Sequence, residues 1–164
     1  MRQIKVFSRK TLQDFLIGRT FIKNTVLISI NDKISELLPK DVFSKFETFY
    51  ITFFDDISST KFKHYNAITH KQAHELINFI LEHKTYNFFI HCNAGISRSP
   101  AVALAIICIL DYNGNDKTMF KNPSSTVINL CTFPHYPNWF VFDIIIYEYN
   151  KRLEKIKKQT DNLP

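Results

Sequence analysis

Four stretches of the chain have the dense β-branched and aromatic content of strands: Ile4 to Phe7, Thr25 to Ile30, Thr48 to Phe54 and Asn87 to His91. The last is apolar at almost every position, as a strand buried on both faces must be. Between the strands the apolar spacing changes to that of helices. Ser8 is placed to cap a helix that runs to about Ile17 and stops near Gly18, and Lys33 to Leu38 has the length of a short second one. Thr69-His70-Lys71-Gln72 reads as a capping box, after which Ala73, Leu76, Ile77, Ile80 and Leu81 recur on one helical face. From Arg98 to Leu110 apolar residues occur nearly all round, so this helix belongs in the middle of the domain. Ser124 to Cys131 and Asn138 to Lys157 predict two more.

This alternation predicts an α/β fold with a central, mostly parallel sheet of about four to five strands flanked by helices. A chain of 164 residues fits one domain. No repeat, low-complexity tract or Gly/Ser linker divides it. The expected organisation is a single domain over 1–157 and a polar tail over 158–164.

Composition narrows the setting. No apolar run reaches the roughly 18 residues of a membrane span, and MRQIKVFSRK lacks the apolar core of a secretory signal. The expectation is an intracellular, cytoplasmic protein with no membrane partner. Three cysteines without a CxxC pair suit a reducing compartment and a working thiol better than a disulfide framework. The net charge of +6 favours anionic partners without choosing among them. Much of it sits in Lys151, Arg152, Lys155, Lys157 and Lys158, where cations offset the negative end of the last helix. His70 and His74, and separately Cys131 and His135, have ligand-like spacing, but no HExxH pattern or second pair accompanies them, so no metal and no cofactor is expected.

The chemistry concentrates in one stretch. Asn87-Phe88-Phe89-Ile90-His91-Cys92 is followed by Asn93-Ala94-Gly95-Ile96-Ser97-Arg98-Ser99-Pro100, that is, a strand, a tight loop and a helix start. Such a loop turns successive backbone N–H groups toward one point, and the helix dipole adds positive potential there. Residues Asn93 to Arg98 are therefore candidates to bind a phosphate. Cys92 at the strand end faces the same point, where the field that holds an anion also favours a thiolate. Arg98 brings a planar guanidinium able to grip two oxygens at once. Gly95 supplies backbone freedom. Ser99 can hydrogen-bond the sulfur, and Pro100 needs no N–H partner in the first helical turn.

Ile90 to Ser99 matches the HCxxGxxR[ST] signature, and on these residues the chain resembles the protein tyrosine phosphatase superfamily. The AGISRS form is most similar to its compact dual-specificity branch. The resemblance covers about residues 48 to 150 and extends to Asp56, to the helix at Ala73 to Leu81, and to Pro137-Asn138 before the last helix. It implies a cysteinyl-phosphate mechanism with Cys92 as nucleophile, Arg98 as phosphate clamp, Ser99 assisting release of the thiolate and an aspartate as general acid. Phe53-Phe54-Asp55-Asp56 offers two carboxylates for that last role, of which Asp56 is preferred over Asp55. Asn138 resembles the family asparagine that braces the phosphate loop; a helix N-cap accounts for it equally. His91 alternates with Cys92 on the strand and so points away from it, which suits a buried partner of the loop backbone rather than an acid.

The implied substrates are phosphorylated proteins or peptides, on tyrosine and on serine or threonine, entering a shallow pocket with Phe53, Phe54, Tyr65 or Trp139 as walls. An RNA 5′-phosphatase, a phosphate-binding protein without turnover and a rhodanese-like sulfur transferase are the alternatives. Nucleic acid is not favoured as a partner, and oligomeric state is not legible.

Overall fold

The computed structural model describes residues 2–58 and 64–161. Four strands, β1 (Ile4–Ser8), β2 (Ile22–Asn31), β3 (Phe46–Phe53) and β4 (Asn87–Cys92), form one sheet in the order β1-β4-β2-β3, every pair parallel. The helices are α1 (Arg9–Leu16), α2 (Lys40–Phe43), α3 (His70–Glu82), α4 (Arg98–Tyr112), α5 (Asp116–Lys121), α6 (Ser125–Leu130) and α7 (Trp139–Asp161). Among the described residues no helix is long and apolar enough to cross a membrane.

Side chains alternate across the sheet as the strand period requires. On one face Val26, Ile28, Ile30, Phe88, Ile90 and Cys92 pack with α3, α4 and α7 in the main core. On the other, Leu27 and Phe89 meet Leu12 and Leu16 of α1 and Val42 and Phe43 of α2. Helix α4 is buried continuously from Arg98 to Ile109, which explains why its sequence is apolar all round. β4 lies between β1 and β2, so the loop leaving its C-terminal end is walled on both sides by strand ends, the usual place for a ligand site in a parallel sheet.

Reciprocal capping boxes start α1 (Ser8 with Thr11) and α3 (Thr69 with Gln72). Lys33 to Leu38 differs from the expected second helix. It holds a single 3₁₀ turn at Ile34–Glu36, and α2 begins only after Pro39, where proline's preset φ suits a helix start. The last helix runs four residues beyond Lys157, to Asp161; residues 162–164 of the expected tail lie outside the described residues.

Candidate active site

The chain leaves β4 at Cys92, loops through 93–97 and enters α4 at Arg98. Which way each peptide in this loop faces follows from its carbonyl partners. The Asn93 oxygen accepts from Arg9 N–H (3.1 Å), the Ile96 oxygen from Tyr136 N–H (2.8 Å) and the Ser97 oxygen from Asn138 N–H (3.1 Å). The Gly95 oxygen lies 3.2 Å from Nδ1 of His135. All four oxygens are thus drawn outward, toward flanking segments. A trans peptide is planar, with its N–H opposed to its C=O, so the N–H groups of Ala94, Ile96, Ser97 and Arg98 face inward. The Gly95 N–H joins them, donating to Sγ of Cys92 at 3.2 Å.

Helix α4 contributes to the same cradle because its N-terminus carries no side-chain cap. Ser97 occupies the N-cap position, but its hydroxyl donates to Asp56 (2.7 Å), and position N3 is Pro100, which has no N–H to satisfy. The first-turn amides keep their positive potential for an anion.

Gly95 is indispensable on two counts. Its φ of +73° lies in the left-handed region, and a Cβ there would sit 2.4 Å from the backbone nitrogen of Ser8. The loop is pressed against the end of β1 with no room for a side chain.

Cys92 is buried, and its sulfur lies 3.2 Å from the Ser99 hydroxyl. The other two thiols stand apart from this chemistry. Burial pushes Cys108 up to about 12, with Asp116 adding to the effect, and burial also raises Cys131.

Arg98 is buried, and its Nη1 donates to the carboxylate of Asp32 and to the Phe54 carbonyl (2.7 Å). Its Nε has no hydrogen-bond partner among the described residues. A buried guanidinium fastened along one edge, with an unpaired N–H on the other, is a donor waiting for an acceptor such as a phosphate oxygen. Asp32, one residue past β2, was not singled out from the sequence. The available signal was a lone carboxylate at the C-terminal end of the strand next to β4.

The two candidate acids separate cleanly. Asp55 is occupied at the base of the following loop: its N–H donates to the Asn66 carbonyl (2.7 Å), and its carboxylate accepts from the Asn66 N–H (2.6 Å). Asp56 reaches the 93–97 loop instead. Its Oδ1 accepts from Ser97 (2.7 Å) and from Nδ2 of Asn138 (2.8 Å), while Oδ2 makes no hydrogen bond among the described residues. Asn138 ties several of these segments together. Its Oδ1 caps α7 through the Val141 N–H (3.2 Å), its Nδ2 also ties the Ile57 carbonyl (2.9 Å), and its backbone N–H braces Ser97.

Two expectations need correction. His91 does point away from Cys92, but its Nε2 pairs with Ser29 of β2 (2.8 Å), not with the loop backbone, and Nδ1 is unpartnered among the described residues. Register explains this, because Ser29 lies directly opposite His91 on β2. Burial, with the charges of Arg9 and Arg98 adding and the adjacent Cys92 backbone opposing, pushes the His91 imidazole down to about 4. Phe54 is no pocket wall, since it is buried in the main core. The other three proposed walls line two hollows beside the loop. One of about 570 Å³ lies between Asp56, Ser97 and Trp139, and one of about 850 Å³ runs past Asp32, Phe53 and Tyr65.

Two solved structures share this architecture. The human tyrosine phosphatase-like serine/threonine/tyrosine-interacting protein superposes with a TM-score of 0.54 at 20% identity, covering 89% of this chain and 86% of its own. PTPMT1, in a complex with PI(5)P, gives 0.60 at 10% identity, covering 95% and 97%. The fold is that of the compact, dual-specificity-like protein tyrosine phosphatases. No protein-family model and no curated protein matches the sequence.

Among the described residues no group of three or more His, Cys, Asp or Glu is arranged to hold a metal; Nδ1 of His70, for instance, pairs with Glu148 at 2.9 Å.

Proposed function

We propose that this chain is a phosphatase that hydrolyses phosphate monoesters of proteins, on tyrosine and on serine or threonine, through a cysteinyl-phosphate intermediate. The observation that carries the reading is the outward tethering of the loop carbonyls, which leaves the opposed N–H groups free of them, with the Gly95 N–H donating to the Cys92 sulfur and the buried Arg98 Nε unpaired among the described residues. Three equatorial oxygens of a phosphoryl group need donors of this kind.

In the first step the Cys92 thiolate attacks phosphorus while the ester P–O bond breaks and Asp56 gives its proton to the departing oxygen. Ser97 and Asn138 hold Oδ1, so Oδ2 is the oxygen left to carry that proton. In the second step Asp56, now a carboxylate, takes a proton from water as the water oxygen bonds to phosphorus. The P–S bond breaks, and the Ser99 hydroxyl receives the returning negative charge on sulfur. No cofactor enters either step.

Substrate breadth follows from the mouth of the site. Asn93, Ala94 and Ile96 are exposed on its rim, which suits a shallow pocket open to both long and short phosphorylated side chains. The densest basic run, Lys151 to Lys158, begins twelve residues into α7, about 18 Å along the helix from the end that touches the loop. Arg152 is engaged there with Asn78 of α3 and Lys151 with Glu148. That arrangement supports peptide over RNA.

The test is turnover of a small aryl phosphate by the wild-type chain and by Cys92→Ser, with binding of inorganic phosphate measured in parallel. Hydrolysis lost in the variant with phosphate binding retained is the expected result; equal turnover by the two would end the covalent mechanism.

A further inference from the structure

We propose that His135 is a positioning residue of the phosphate loop, holding the Gly95–Ile96 peptide in the one orientation that aims the Ile96 N–H at the anion. The proposal rests on the reading of this loop as a phosphate site and adds to it a residue outside the CX5R signature.

Three successive carbonyls of the loop, at Gly95, Ile96 and Ser97, are held by the 135–138 segment. Two of the three bonds come from backbone N–H groups, those of Tyr136 and Asn138, and do not depend on side-chain identity. The third comes from the His135 ring. A carbonyl oxygen can only accept, so Nδ1 must carry hydrogen, which it does in one neutral tautomer and in the imidazolium alike. The ring is itself placed by a turn in which the His135 N–H donates to the Thr132 carbonyl at 2.8 Å.

Gly95 is the residue at which such an anchor is needed. The 95–96 peptide rotates through ψ of Gly95 and φ of Ile96, and glycine offers the least resistance to that rotation. A flipped peptide would turn the Gly95 oxygen toward the Cys92 sulfur and toward any bound phosphate, replacing a donor with a like-charged dipole. The next peptide, Ile96–Ser97, has no equivalent freedom, since its carbonyl is tied by the backbone N–H of Tyr136. His135 is only half-buried and belongs to neither core cluster, so removing its ring leaves the packing of the domain intact.

The experiment measures inorganic phosphate binding by calorimetry, aryl phosphate kinetics and thermal midpoint for wild type, His135→Ala and His135→Asn. Asparagine places an N–H donor near the position of Nδ1. For His135→Ala the expected result is a rise of about 3- to 10-fold in both the phosphate Kd and KM, the effect of one hydrogen bond, with a smaller change in kcat and little change in midpoint. His135→Asn should recover most of the loss. Wild-type phosphate affinity in His135→Ala, or equal impairment in the two variants, overturns the proposal even if turnover is normal. Weakened phosphate binding in a chain that turns nothing over would sustain the role of His135 and refute the phosphatase reading instead.

Discussion

His91 makes the stability of this domain depend on pH in a predictable direction. Its imidazole is buried against Ser29 of β2 with two arginines nearby, and its titration is pushed from 6.5 down to about 4. The unfolded chain therefore binds a proton at this residue from about pH 6.5 downward, whereas the folded chain does so only near 4. Between these values the unfolded state holds more protons, and stability falls as pH falls; above 6.5 the contribution is fully present. The interval, at about 1.4 kcal/mol per pH unit, corresponds to roughly 3 kcal/mol. For a domain of this size that is a drop of about 6 to 12 °C in Tm between pH 7 and pH 4. Carboxylates titrating near 4 add their own slope, so the informative quantity is the difference between wild type and His91→Asn, which cannot titrate. The variant profile should be flatter by about that amount between pH 6.5 and 4.5. A proton NMR titration of the wild-type ring provides a direct check independent of the variant's stability. Parallel profiles for the two proteins, or a ring midpoint near 6.5, would refute the argument.

Three further outcomes follow from the site. Asp32→Ala removes the carboxylate that fastens the Arg98 guanidinium and should lower kcat/KM by about 10- to 100-fold, in the range of a charged hydrogen bond; unchanged kinetics would mean that the Phe54 carbonyl alone orients the arginine. Asp56→Asn should lower kcat by about 10²- to 10⁴-fold on a substrate with a poor leaving group, while Asp55→Asn, whose carboxylate is occupied by Asn66, should leave that acid-dependent step in place, so equal losses in steady-state assays would point to another acid. Gly95→Ala forces a Cβ to within 2.4 Å of Ser8 and should lower phosphate affinity and kcat/KM together by at least about 100-fold; near-normal kinetics would show that the β1 end yields.

What could be read from the sequence was what neighbouring residues determine. β4, the loop and α4 are contiguous, so their apolar run and signature residues mark them directly. Ser8 marked the start of α1, and Thr69 with Gln72 three positions on marked that of α3. Helices α2 and α5 escaped because they are four and six residues long and bury only Val42 and Phe43 in one and Met119 in the other, too few to set up a period. β2 starts three residues before the expected Thr25, beyond an Asn24 at φ +51° that interrupts its pairing. The candidate site was legible where one segment carries it: Cys92, Gly95, Arg98 and Ser99. Asp32 and His135 were not, since they meet Arg98 and Gly95 only through tertiary folding, 66 and 40 residues away in the chain. The preference for Asp56 over Asp55 rested on resemblance, and it is the reach of Ser97 and Asn138 that separates the two in space.

The 93–97 loop is gripped by two segments far apart in the chain: the Ser8–Arg9 junction supports it at Asn93 and Gly95, and residues 135–138 hold its last three carbonyls. During synthesis Cys92 leaves the ribosome more than forty residues ahead of His135, with the N-terminal support already made and the second not yet translated. A chain that stops short of residue 135 thus carries Cys92 beside a loop whose last three carbonyls lack these tethers, and under the proposed function its reactivity toward phosphoesters awaits the 135–138 segment. On that proposal, products cut short before this segment are silenced by the architecture itself, without any inhibitor.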